Sequence, residues 1–260
     1  MQSDYWTQEQ LEEAREDLYK PRTVGQMLHW LKEHEHFDLL NECSAIDQDW
    51  KYSTVARVES FDVQSFANNM LESLKDVKSH NTTVSPSRQQ SKEQKFLQNI
   101  GFLQETHAET YEPESILQPM LDNFDFTMYA MATQYQPPGC MLYRHVDYLD
   151  SMWTLFAKKG LDIMDVEYNP HTKAPVGWKA MRCMISLTDW VPGHVFGFDD
   201  QYWTHWKVGD VCAFNWGRAR HYTANMSMVP RLYLKISGVV PEDQDHWLWN
   251  NIESGTISSI

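Results

Sequence analysis

Apolar residues recur at helical spacing through the first third of the chain and then switch to alternation. Val24, Met27, Leu28 and Leu31 fall three and four apart within 23–40, and Phe66, Met70, Leu71 and Leu74 do so within 61–74. Both stretches are expected to be amphipathic helices. Thr7 precedes the helix-forming run QEQLEEAR and fits an N-cap. The segment 79–93 (SHNTTVSPSRQQSKE) is polar and reads as a surface loop, because helical patterning resumes at Phe96. From about Phe124 the period becomes two, with aromatic and β-branched residues. Strands are expected at 126–135, 141–148, 180–187, 211–215, 221–224 and 231–239, with a helical or irregular excursion over 151–168. Turn signals at Pro137-Pro138-Gly139, Asn169-Pro170, Val191-Pro192-Gly193, Val208-Gly209-Asp210 and Val229-Pro230 separate them. The stretch from Gly193 to Trp203 reads as a loop at the mouth of the β region. Short strands at this spacing predict a sandwich or barrel. The expected organisation is a helical region over 1–120 that buttresses a β core over 121–240, followed by a tail over 241–260.

Composition narrows the function classes. The chain has 260 residues, 42% of them hydrophobic and 13% aromatic, enough to bury a sizeable core. Its net charge of −14 argues against nonspecific binding to nucleic acid or membrane surfaces, which needs a basic field. The acidic, polar start resembles neither a signal peptide nor a transit peptide, and no apolar run approaches the roughly 18 residues of a membrane span. Cys43, Cys140, Cys183 and Cys212 are scattered with no CxxC. Three of them sit in apolar or strand-like context and read as buried free thiols, so a reducing, cytoplasmic location is expected.

Two H-x-D tripeptides occur: His36-Phe37-Asp38, beside His34, and His145-Val146-Asp147. The i and i+2 side chains of a strand share a face and can reach one metal, whereas on a helix they diverge. His145 and Asp147 follow Met141-Leu142-Tyr143-Arg144 in strand context; His36 lies in a helical or helix-end stretch and reads as a solvated polar segment. His171, His194, His205, His221 and His246 are the downstream candidates for a third ligand. His221 opens a strand-like run and precedes Arg231, which begins the alternation Arg231, Tyr233, Lys235, Ser237 against Leu232, Leu234, Ile236. A polar face of that kind either lines a barrel interior that holds an anion or is simply solvated. Two imidazoles and one carboxylate suit a divalent iron with open coordination positions, and Arg231 suits an anionic co-substrate beside it.

The ordered set of H-x-D, a distal histidine and an arginine ten residues on resembles the iron(II)- and 2-oxoglutarate-dependent dioxygenases. More narrowly, Trp206-Lys207-Val208-Gly209-Asp210-Val211-Cys212-Ala213-Phe214-Asn215, then His221, Asn225 and Pro230-Arg231-Leu232-Tyr233-Leu234, is similar to the aspartyl/asparaginyl β-hydroxylase-like branch. Pro137 to His145 is similar to the approach to the first ligand there and in prolyl hydroxylases. The resemblance covers roughly residues 124–240, and the first 120 residues have no part in it. The aspartyl branch commonly lacks the metal carboxylate that Asp147 supplies, so its substrate does not transfer. The resemblance implies a double-stranded β-helix, or cupin-like jelly roll, as the core of a mainly β, α+β fold. It also implies Fe(II) on His145, Asp147 and His221, with 2-oxoglutarate and O2 as co-substrates. Arg231 is then expected to pair bidentately with the far carboxylate of 2-oxoglutarate, which lysine cannot match. Arg182 is expected to hold the C1 carboxylate or the substrate, or else to be a paired strand arginine; Tyr135 and Tyr143 are expected to hydrogen-bond a carboxylate or to be packed.

The resemblance implies hydroxylation of an unactivated C–H bond with release of succinate and CO2. Related halogenases carry a small residue in place of the carboxylate, so Asp147 points to hydroxylation, desaturation or another oxidative outcome. Arg182, Arg218 and Arg220 favour a small carboxylate-bearing substrate resembling an amino acid, with a peptide side chain second. His194 and Asp199 are expected either to touch substrate or to be plain surface. Trp178, Trp190, Trp203, Trp206 and Trp216 are expected chiefly in core or rim packing. Two other classes remain: a cupin-type metalloenzyme that does not use 2-oxoglutarate, against which Arg231 counts, and a barrel without catalysis that serves as an interaction module, against which the complete ligand set counts.

Overall fold

The computed structural model describes residues 7–33, 52–74, 107–111, 117–147, 149–198, 201–214, 216–217 and 219–260. His34, the His36-Phe37-Asp38 tripeptide, Cys43, the 79–93 segment, Asp199 and Arg218 lie outside them.

Thr7 caps α1 (Gln8–Leu18) through a reciprocal box: its hydroxyl accepts from the Gln10 backbone N–H while the Gln10 side chain accepts from the Thr7 N–H. Next come β1 (Arg22–Thr23), α2 (Val24–Glu33), β2 (Tyr52–Arg57), α3 (Val63–Leu74), β3 (His107–Tyr111) and α4 (Gln118–Phe124). The region 1–120 is therefore not purely helical. Alternation is hidden in β2 because the register against β11 shifts at Val55, and the consecutive residues Val55 and Ala56 are both buried in one core cluster. In β3, HAETY has little strand propensity and pairs because the edge of the next strand offers an open row of backbone groups.

The period-two region contributes β4 (Met128–Gln136), β5 (Met141–His145), α5 (Asp150–Lys158), β6 (Glu167–Asn169), β7 (Ala174–Pro175), β8 (Trp178–Ser186), β9 (His194–Phe198), β10 (Gln201–Trp203), β11 (Asp210–Phe214), β12 (His221–Asn225) and β13 (Arg231–Pro241). Eight of these strands alternate between two antiparallel sheets, ordered β11-β8-β13-β4 and β10-β9-β12-β5. That exchange is the winding of a double-stranded β-helix. The first sheet is extended by β2 beside β11 and by β3 beside β4. The tail also joins it: α6 (Trp247–Ser254) packs on β2, and β14 (Ser258–Ser259) pairs parallel with β2.

The stretch Gly193–Trp203 is a β9–β10 hairpin rather than a loop. Glycine is required within it: a Cβ on Gly197 would lie 2.2 Å from Cζ of Tyr222 on the neighbouring strand. The glycine in HVFGF weakens the strand signal although cross-strand packing demands it.

Both faces of β13 are covered, so neither is solvated. Leu232, Leu234 and Ile236 pack outward with Cys183 and Ile185 against residues of α3, α4 and α6. Tyr233 packs inward among Phe196, Phe198, Trp203, Trp206 and Phe214 between the sheets. A third cluster joins α1, α2 and α5 to Val146 and Leu149, where the chain leaves β5. Cys140, Cys183 and Cys212 are buried free thiols, and among the described residues no helix is long and apolar enough to cross a membrane.

His246 ties the tail to the body. Its Nε2 donates to the Phe124 carbonyl at 2.7 Å, its Nδ1 accepts from the Leu248 N–H at 3.3 Å as the N-cap of α6, and its ring stacks on Phe126. Protonating Nδ1 removes the cap, worth about 1 kcal/mol. Burial lowers the folded pKa below 6.5, although the Phe124 bond opposes the shift. The unfolded chain therefore takes up the proton first, and stability falls as pH drops below about 6.5. Urea midpoints at pH 7 and pH 5 should differ less in His246→Asn than in the wild type; an equal difference removes His246 from that role.

Candidate metal centre

The first ligand pair is positioned by an apolar anchor. Val146, between His145 and Asp147, is 1% exposed and packs into the cluster from α1, α2 and α5. Its two neighbours turn to the other side, toward the barrel mouth. The strand ends at His145 instead of continuing to 148, and the Asp147 N–H donates to the Trp216 carbonyl at 3.0 Å. Across the sheet His221 is the Cα partner of His145, and the register shifts immediately afterwards, between His221 and Thr223. Such a bulge re-aims side chains beside a site.

Asp147 thus lies between two imidazoles. Its Oδ1 is 3.7 Å from His145 Nε2 and its Oδ2 is 3.9 Å from His221 Nε2. One ligand atom from each residue lies within 4.8 Å of the other two. Bond lengths near 2.1 Å set neighbouring ligand atoms about 3 Å apart, so the three side chains draw in slightly on an ion. His221 Nδ1 faces the Ala219 carbonyl at 3.0 Å and must donate to it, which leaves the Nε2 lone pair toward Asp147. Burial, then His145, pushes the His221 pKa down to about 3, so the ring is neutral and ready to ligate. Burial alone would raise the Asp147 carboxyl; Arg182, His221, His145 and Lys235 overcome it and hold the group well below the usual carboxylate range. The donor set and its ionisation state fit a divalent transition metal.

Arg182 is buried and paired: it donates from Nη1 to Asp147 Oδ2 and from Nε to Ser237 Oγ at 2.8 Å. Its guanidinium lies 5.5 Å from the Trp216 ring centroid, and Trp216 Nε1 donates to the Arg182 carbonyl. The Trp216 ring also packs on His221 at 4.9 Å and on Phe214 at 3.8 Å. Two lysines absent from the expected site join the group. Lys173 is 2% exposed, and burial lowers it to about 7 against the pull of Asp147. Its stem crosses Gly217, where a Cβ would stand 3.2 Å from Lys173 Cδ. Burial and Arg182 lower Lys235 to about 8, again against Asp147.

Arg231 lies inside the barrel at 1% exposure. The expected bidentate fork is engaged by the protein: Nη1 donates to the Val195 carbonyl at 2.6 Å and Nη2 to Gln136 Oε1. Gln136 was not foreseen; its side chain also donates to Thr223 Oγ1 at 3.2 Å. Among the described residues, the buried Ser186 hydroxyl has no hydrogen-bond partner, and Arg231 Nε and the Tyr233 hydroxyl have none beyond each other's side chains. The two hydroxyl residues are Cα partners across β13 and β8, so they share a face. A buried guanidinium flanked by two buried hydroxyls fits an anion such as a carboxylate.

Tyr135 is not brought to this group. It is the Cα partner of Leu232, whereas Gln136 is the partner of Arg231. Tyr135 therefore shares the outward face, packing against the helix-side core. His194 is buried at 2% and bonds the Val229 carbonyl at 3.3 Å, so it is not surface. Trp203, Trp206 and Trp216 are buried core residues. Tyr143 lies on β5; its side chain is outside the described residues.

The winding and the His-Asp-His cluster together define a double-stranded β-helix protein with a candidate metal centre at its mouth. No family profile and no curated protein matches the chain. Among solved structures, it is similar to a prolyl-4-hydroxylase from Pseudomonas putida, at 12% identity over 83% of this chain and 98% of that one, with a TM-score of 0.45. It is also similar to a non-haem monooxygenase in a nickel complex (11%, 74% and 76%, 0.35) and to a cupin domain from Bordetella pertussis (9%, 52% and 93%, 0.28).

Proposed function

We propose that the protein is a non-haem Fe(II)- and 2-oxoglutarate-dependent oxygenase that hydroxylates a C–H bond of a small, carboxylate-bearing, amino-acid-like substrate. One observation carries this reading: His145, Asp147 and His221, from strands far apart in sequence, meet with ligand atoms within 4.8 Å, beside buried basic groups. His145, Asp147 and His221 would hold the iron. When bound, it supplies O2-dependent oxidation, in which substrate, O2 and 2-oxoglutarate give hydroxylated product, succinate and CO2.

The protein's own groups prepare that chemistry. Ala219 fixes the His221 tautomer, and Trp216 fixes the Asp147 backbone. Arg182 keeps Asp147 ionised. Phe196, Phe214 and Trp216 wall His221 and exclude water from its side of the site. Arg231 Nε, Tyr233 and Ser186 would take the far carboxylate of 2-oxoglutarate.

Anaerobic addition of Fe(II) and then 2-oxoglutarate should produce a weak visible charge-transfer band. Absence of a band from protein stripped of other metals would overturn the proposal. Arg231→Lys should weaken 2-oxoglutarate binding by about tenfold to a hundredfold, the scale of a charge-assisted hydrogen bond, with metal affinity within about twofold; unchanged co-substrate affinity removes Arg231 from the role. The engaged Nη atoms of Arg231 favour one second reading, a cupin-type metalloenzyme that does not use 2-oxoglutarate. Metal binding without the band selects it.

A further inference from the structure

We propose that Lys235 is the direct anchor for an anionic group of the oxidised substrate, so that the molecule binds with a carboxylate or comparable small anion on the inner face of β13. This rests on the oxygenase reading above and adds which group receives the substrate.

Lys235 stands between Tyr233 and Ser237 on the inward face, with Met184 of β8 and Ala132 of β4 as Cα partners. Neither neighbour offers a charge or a side-chain acceptor. Ser237, next along that face, already accepts from Arg182. Among the described residues, the charges that act on Lys235 are Arg182, of like sign, and Asp147. Asp147 is itself committed to Arg182 and to the metal cluster. With a divalent cation present, Lys235 therefore faces net positive charge on the metal side. The two carboxylates of 2-oxoglutarate are accounted for by the metal and by the Arg231 group deeper along β13. A positive surplus stays near the mouth, and a half-buried ammonium without a counter-charge is costly unless an anion completes it.

Exposure separates Lys235 from the deeper cations. Arg231 is 1% exposed and held on both Nη atoms by the protein, while Lys235 is only half-buried and has no such bonds among the described residues. An ammonium on a flexible stem takes a single carboxylate oxygen without the fixed fork of a guanidinium.

The test uses the full chain loaded with Zn(II) and 2-oxoglutarate, titrated calorimetrically with N-acetyl amino acids and, in parallel, with their primary amides. The wild type should prefer at least one acid over its amide by tenfold or more. Lys235→Met, which keeps the stem and removes the charge, should abolish that preference, and Lys235→Arg should retain most of it. A wild type that shows no preference for any acid overturns the proposal, as does Lys235→Met that keeps the preference with Zn(II) and 2-oxoglutarate still bound. Failure of the wild type to bind Zn(II) or 2-oxoglutarate overturns instead the oxygenase reading beneath it.

Discussion

His221→Ala and Asp147→Ala should each reduce succinate release to background, a loss of at least about a hundredfold, because each would remove one of the three proposed metal ligands. His221 is the more informative position. It is 2% exposed and neutral, its Nδ1 is held by Ala219, and its Nε2 faces Asp147. Alanine leaves an apolar gap among Phe196, Phe214 and Trp216 with nothing to take a metal. Succinate assays alongside metal titration check this. His36→Ala, in the other H-x-D tripeptide, should leave succinate release intact. Loss of activity on changing His36, with His221→Ala still active, would place the metal at the wrong tripeptide.

Trp216→Ala should carry the largest combined cost. Removing a large buried aromatic costs about 3–5 kcal/mol, and loosening the support of metal ligands weakens metal binding about 10- to 100-fold. The Trp216 side chain acts on two site residues at once, its indole donating to the Arg182 carbonyl and its ring lying against His221, while the backbone carbonyl that accepts from Asp147 survives the substitution. Trp206 is the matched control, also buried but hydrogen-bonded to the Thr188 carbonyl, with its ring against His194, Trp203 and Tyr233 instead of His221. Trp206→Ala should cost comparable stability in urea unfolding while sparing metal affinity relative to Trp216→Ala. Equal losses of metal affinity in the two variants would reduce Trp216 to packing.

What could be read from the chain follows the range of the physics involved. Local chemistry was legible: the Thr7 cap, the helix at 63–74, and strands β4, β5, β8, β11, β12 and β13 match their patterns within a few residues, and of the helix expected over 23–40 the described part is 24–33. The meeting of His145, Asp147 and His221 was legible in the spacing of the first two and in His221 at the start of another strand, although β5 ends at His145 and Asp147 follows it. Illegible features depend on partners distant in sequence. HAETY becomes a strand through an open edge of β4. HVFGF becomes one because Tyr222 needs room over Gly197. Tyr135 and Gln136 exchange importance through pairing register, since Gln136 and not Tyr135 is opposite Arg231. Lys235 was visible in the alternation from Arg231 to Ser237, but its place beside Asp147 and Arg182 was not. Lys173 left no signal at all: it lies in a turn, in a left-handed conformation (φ 55°), and its site depends on Gly217.

The opposition of His145 and His221 across β5 and β12 has a kinetic consequence. Neither strand can offer a metal site alone, and the residues between them must first wind through both sheets. Closing such a long loop is an entropic cost met late in folding. The unfolded chain therefore presents scattered imidazoles and carboxylates that would hold an ion weakly, while the closed ladder would hold it as a set. Under the proposed function, metal would then favour the native state by mass action and resist the opening of the ladder. An ion that joins after the rate-limiting step slows unfolding without hastening folding, which would make it a clasp on the finished barrel rather than a seed for its assembly.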